Sequence, residues 1–83
     1  MKLKLRYFAS IRESLGAGES IDVAEGTTVS AVRDLLIARG GAHALALARG
    51  RALRCALDQV LCDETRAVAD GSELAFFPPV TGG

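Results

Sequence analysis

Leu3, Leu5 and Tyr7 alternate with Lys2, Lys4, Arg6 and Phe8 at the start of the chain. A period of two predicts a strand over residues 2–8, with Leu3, Leu5 and Tyr7 turned to the core. Phe8 falls on the otherwise polar face. Ala9 to Gly16 reads as a short connection with room for a helical turn, closing at Gly16-Ala17-Gly18. Residues 19–24 alternate again, with Ile21 and Val23 inward, and predict a second strand. The short turn between the two makes them a hairpin.

Glu25-Gly26 breaks the alternation. Thr28 follows as a helix N-cap, since its hydroxyl can accept from a free N–H of the first turn. Val29, Val32, Leu35 and Leu36 then recur at helical spacing as one apolar stripe. Gly40-Gly41 ends this helix, because glycine tolerates the left-handed conformation after a C-terminus. Ala42 to Ala48 reads as a second helical piece, with Leu45 and Leu47 filling the core. Leu53, Cys55 and Leu57 alternate with Arg54, Ala56 and Asp58, predicting a third strand. Val60-Leu61-Cys62 is a short strand. Asp70-Gly71 is a turn signal. The last strand, Leu74 to Phe77, sets Leu74 and Phe76 on one face and Glu73, Ala75 and Phe77 on the other. Pro78-Pro79 stops its ladder, because neither residue has an N–H to donate. The element order predicts an α+β fold: a mixed sheet packed on one main helix, with hairpins at both ends. The first and last strands can lie side by side at its centre.

With 83 residues the chain makes one domain. Residues 1–77 are expected to fold and residues 78–83 to form a flexible tail. Ten basic and ten acidic residues cancel, which removes the electrostatic case for nucleic acid or an anionic membrane. No apolar run reaches membrane-spanning length, and the first residues lack the apolar block of a signal peptide. The cytoplasm is the expected compartment. Cys55 and Cys62 are too few for a disulfide framework and too far apart in sequence for a CxxC site. They are expected to be reduced thiols, at least one in the core. The lone His43, in an alanine-rich segment, reads as a packing or surface residue rather than a base. No phosphate loop or metal-ligand set is visible, so no bound cofactor is expected.

The tail carries the chemistry. Two prolines hold the exit from the last strand extended. Val80 and Thr81 follow, and Gly82 and Gly83, lacking Cβ atoms, suit a narrow channel. The unhindered Gly83 carboxylate is open to adenylation by ATP on another enzyme, and then to conversion into a thiocarboxylate. That sulfur is a softer nucleophile than carboxylate oxygen. Phe8 and Phe77, both on outward faces, mark a candidate partner patch.

The block Asp70-Gly71-Ser72-Glu73-Leu74-Ala75-Phe76-Phe77-Pro78-Pro79-Val80-Thr81-Gly82-Gly83 resembles the carboxyl end of the small subunits of molybdopterin synthases. Tyr7-Phe8-Ala9-Ser10-Ile11-Arg12-Glu13 resembles the opening of the same family. Ala56-Leu57-Asp58-Gln59 is similar to its Ala-Val-Asn-Gln segment, with Asp58 in place of Asn. That departure puts in question the hydrogen bonds of the segment, not the tail chemistry. The resemblance spans essentially the whole chain. It implies a ubiquitin-like β-grasp fold and a sulfur carrier in molybdenum-cofactor synthesis. Gly83 would be adenylated by an E1-like enzyme using ATP, take sulfur from a donor, and pass it to precursor Z in the large synthase subunit. The acids and bases would belong to that subunit, within a heterotetramer built on a large-subunit dimer. By the same resemblance Leu61 joins Phe8 and Phe77 in the docking surface. A thiamine-type sulfur carrier, a ubiquitin-like protein modifier and an interaction module with an inert tail are the competing readings.

Overall fold

The computed structural model describes residues 1–79. The chain runs β1 (Lys2–Tyr7), α1 (Ala9–Leu15), β2 (Gly18–Asp22), α2 (Val29–Ile37), α3 (Gly41–Ala46), β3 (Arg54–Leu57), β4 (Val60–Cys62) and β5 (Glu73–Phe77). The strands form one sheet in the order β2-β1-β5-β3-β4. β1 and β5 are parallel, and the other neighbours are antiparallel. The first and last strands therefore lie at the centre, as their apolar faces predict. Leu3, Leu5, Tyr7, Leu74 and Phe76 are all buried and pack with Val29, Val32, Leu36 and Leu47 in one core.

β1 and β2 pair antiparallel as expected, but a seven-residue helix joins them instead of a tight turn. Its apolar residues are few, and Ile11 alone is buried, so the segment carries little periodicity to read. Gly18 is there for a close approach: a Cβ at this position would collide with the Leu5 carbonyl of β1.

α2 starts where expected. The Thr28 hydroxyl accepts from Ala31 N–H at 3.1 Å, while Val29 and Ser30 N–H donate to the carbonyls of Arg66 and Glu64. The first free amides of the helix are thus paired. Gly40, with φ 74°, donates to the Ile37 carbonyl and closes the helix; α3 begins at the next residue. Two leucines differ from expectation. Leu35 is 54% and Leu45 70% exposed. At about 100° per residue, Val29, Val32, Arg33 and Leu36 span one arc and Leu35 points well outside it. In α3 the inward positions go to Ala46 and to Leu47 just beyond it.

The place in the stripe belongs to Arg33, which is 3% exposed. Its Nε donates to the Leu47 carbonyl at 2.8 Å, and Nη2 to those of Ala48 and Arg51 at 2.6 and 3.1 Å. Nη1 meets Glu64 at 2.7 Å. Glu64 also takes Arg49, which reaches Asp34. One buried guanidinium so ties α2 to the loop before β3 and to the loop after β4.

Asp58 also departs from expectation. It lies in a tight turn with Gln59, at φ 50° and 68°, and not on a strand face. Its carboxylate accepts from Glu73 N–H at 2.9 Å and from the Ser72 hydroxyl at 3.2 Å. Acidic Asp58 therefore holds the β3–β4 turn against the start of β5 through two acceptor contacts.

On the helix side of the sheet, Glu19 receives Tyr7 at 3.0 Å, Arg39 at 2.6 Å and His43 at 3.2 Å. Burial pushes the Glu19 carboxyl up, but the bonds from Arg39, His43 and Tyr7 outweigh it and hold it below its usual 4.5. A depressed carboxyl stabilises the fold above its unfolded value, and that contribution disappears as pH falls through the folded value. The difference in thermal midpoint between wild type and Glu19→Gln is therefore expected to be constant above about pH 5 and to shrink below about pH 4.5. Thermal melts across that range check it; a difference that grows in acid would contradict the assignment.

Candidate functional site

Strand parity and register build the site on the sheet face away from the helices. Phe8 follows β1 in extended backbone, with φ −130° and ψ 158°, so alternation continues through it and turns its ring outward. Its N–H donates to the Phe76 carbonyl at 3.2 Å, which sets Phe8 beside the end of β5. Phe77 ends β5 opposite Arg54 of β3. Ala56 lies opposite both Ala75 of β5 and Leu61 of β4. Phe8, Phe77 and Leu61 thus share one face. Leu61 stands two strands from Phe77, about 10 Å across the sheet and two residues along it. Leu61 is 68% and Phe8 38% exposed, and Phe77 is half-buried.

The sequence reading did not include the residues between and around them. Ala56 and Ala75 lie on the outer face, yet each is only 8% exposed. They form a low floor between larger side chains. Arg6 sits beside it, with its guanidinium carbon 5.6 Å from the Phe8 ring centroid and Nη1 3.4 Å from Glu73. Arg54 borders Phe77 and has no ion pair among the described residues. An apolar patch with a charged edge excludes water at its centre and leaves orientation to the rim. The small residues that shape the floor carry no pattern visible before the strands are paired.

Pro78 and Pro79 leave directly from Phe77, half-buried and outside any strand. The predicted reacting group, Gly83, lies outside the described residues, as do Gly82, Thr81 and Val80. The exit is therefore fixed by β5, a strand held on both sides by β1 and β3.

Among the described residues, nothing on this face resembles acid–base machinery. His43 and its carboxylate partner Glu19 are on the opposite side of the sheet, engaged with Arg39 and Tyr7. The Tyr7 phenol is held well above its usual range, first by burial and then by its bond to Glu19. Among the described residues, no group of three or more His, Cys, Asp or Glu side chains is placed to hold a metal ion. Nor is any helix there long and apolar enough to cross a membrane.

A mixed five-stranded sheet with its helices on one side and its first and last strands parallel neighbours at the centre is a ubiquitin-like β-grasp domain. The chain belongs to the ThiS family, whose model matches residues 5–83. It is 41% identical over 81 residues to the molybdopterin synthase sulfur carrier subunit of Escherichia coli K12, covering 98% of this chain and 99% of that one. The fold matches the crystal structure of SAMP1 from Haloferax volcanii, with a TM-score of 0.77, 29% identity and full coverage of both chains. It also matches a structure of the complex of subunits 1 and 2 of molybdopterin-converting factor from Helicobacter pylori, with a TM-score of 0.69 and full coverage of both chains. At 24% identity, that likeness shows the fold alone.

Proposed function

We propose that this chain is the sulfur carrier subunit of a molybdopterin synthase. The observation that carries the reading is the continuity of the outer patch with the tail exit: Phe77 is both the edge of the apolar face and the last residue before Pro78-Pro79. A protein that docks there meets the chain at Pro78-Pro79, where it leaves the sheet. The name of the Escherichia coli relative supports the chemistry. An E1-like enzyme joins the Gly83 carboxylate to AMP, releasing pyrophosphate from ATP. A sulfur donor then displaces AMP and leaves a thiocarboxylate. Within the large synthase subunit that sulfur passes to precursor Z and becomes part of the dithiolene. This chain supplies the carried atom and the docking face. The partners supply ATP, acids and bases. Two small subunits on a large-subunit dimer make the assembled heterotetramer.

Intact mass spectrometry of the protein from its own host tests this. The expected mass change is one oxygen exchanged for sulfur, located on the carboxyl-terminal peptide. The competing reading, a protein modifier, draws on the likeness to SAMP1. An isopeptide-linked adduct in place of sulfur would support it and overturn the carrier assignment.

The patch makes a separate prediction. Phe77→Ala should weaken binding to the large subunit by at least about tenfold, or ~1.4 kcal/mol, because central aromatic anchors dominate such interfaces. Calorimetry reads this directly. Unchanged affinity would remove Phe77 from the docking surface.

A further inference from the structure

Cys55 and Cys62 are separated in sequence but stand directly opposite each other in the β3–β4 ladder. Their Sγ atoms are 3.8 Å apart, and the Cys55 thiol donates to the Cys62 carbonyl at 3.2 Å. Residues directly opposite in an antiparallel pair have Cα atoms about 4.5–5.5 Å apart. That spacing falls within the roughly 4.4–6.8 Å that a disulfide spans. The two thiols share the helix side of the sheet, away from Ala56 and Leu61. A shallow cavity of about 340 Å³ opens onto both, lined also by Leu53, Arg54, Asp63 and Glu64. A small reagent therefore has a way in, from the side of half-buried Cys62.

We propose that Cys55 and Cys62 form a thiol–disulfide exchange site that closes reversibly to a cross-strand bridge on reaction with a low-molecular-weight disulfide. The inference stands independently of the carrier reading. Cys62 reacts first, being the more accessible. Its thiolate attacks one sulfur of the small disulfide, the S–S bond breaks, and one small thiolate leaves. The Cys55 thiolate then attacks the Cys62 sulfur of the mixed disulfide and expels the second small thiolate. The two cysteine protons end on the two released thiols. The protein pair is oxidised by two electrons and the small disulfide is reduced. Cys55 is the slow partner. Burial foremost, and then its bond and charge interaction with Cys62, push its thiol up to about 12. Capping Cys62 removes the last two of these influences. The bridge would tie down β4, a three-residue edge strand with β3 as its sole neighbour in the sheet.

The test is to incubate the reduced full-length chain with oxidised glutathione, quench in acid, and measure intact and peptide masses. The expected result is loss of two hydrogens, a Cys55–Cys62 linked peptide, and full reversal by a dithiol reductant. Cys55→Ala should instead retain one glutathione on Cys62. Cys62→Ser, altered at the half-exposed site, should leave Cys55 unmodified. A wild-type protein that keeps a stable glutathione adduct, forms linked dimers, or shows no mass change overturns the proposal.

Discussion

Deleting Gly83 is expected to leave the thermal midpoint unchanged and to reduce sulfur transfer to background. The two halves of that result have separate causes. Among the described residues, every buried core residue lies at or before Phe76, and β5 ends at Phe77. Removing the last residue therefore leaves all of those core residues in place. The carboxylate of the truncated chain would belong to Gly82, withdrawn by up to about 3.5 Å along an extended tail. Misplacement of a reacting group by about 1 Å already costs roughly a hundredfold in rate. Under the proposed mechanism, a withdrawal of a full residue would take the carboxylate out of reach of an adenylating enzyme. Product formation in a reconstituted assay, beside a melting curve, checks both halves. Normal activity of the truncated chain would overturn the mechanism. A truncated chain that is inactive because it no longer folds would overturn the structural half.

The largest stability effect is expected at Arg33. Arg33→Ala removes a guanidinium that serves three backbone carbonyls and Glu64. The carbonyls of Leu47, Ala48 and Arg51 lose their donor, and Glu64 loses a partner. Breaking a buried charge network of this kind costs about 3–5 kcal/mol. That is a large share of the ~5–15 kcal/mol that holds a domain together. At about 4–8 °C per kcal/mol for a domain of this size, the thermal midpoint should fall by roughly 12–40 °C. Arg33→Lys should recover part of the loss, since it restores the charge but not the fork of donors. A fall of under about 4 °C for Arg33→Ala, near 1 kcal/mol, would show that the carbonyls find other partners.

These two residues mark the limits of what could be read in advance. The tail stands out in the sequence because its features are local: prolines end a strand and glycines remove bulk, while its reacting end lies outside the described residues. Arg33 was invisible because its partners come from Leu47, Ala48, Arg51 and Glu64, which no local pattern brings together. Leu35 was misplaced for the same reason. Helical spacing places this apolar residue inward, while the buried position is held by an arginine whose charge is met from distant loops. The α1 helix was hard to see because its short sequence carries too few apolar residues for a period. Asp58-Gln59 carries little turn signal because the second position, Gln59 at φ 68°, lacks the glycine that ordinarily takes such backbone angles.

By itself the amino-acid sequence determined the faces of β1 and β5, the Thr28 cap, the close of α2 at Gly40 and the outward aim of Phe8 and Phe77. Each follows from a period of two, a period of 3.6, or the stereochemistry of a single residue. Tertiary structure alone decided which strands are neighbours. That choice set Leu61 on the face of Phe77, Ala56 beside Ala75, and Cys55 opposite Cys62. Parity fixes the side of a sheet on which a residue lies, but the register between strands comes from long-range pairing and the burial it achieves.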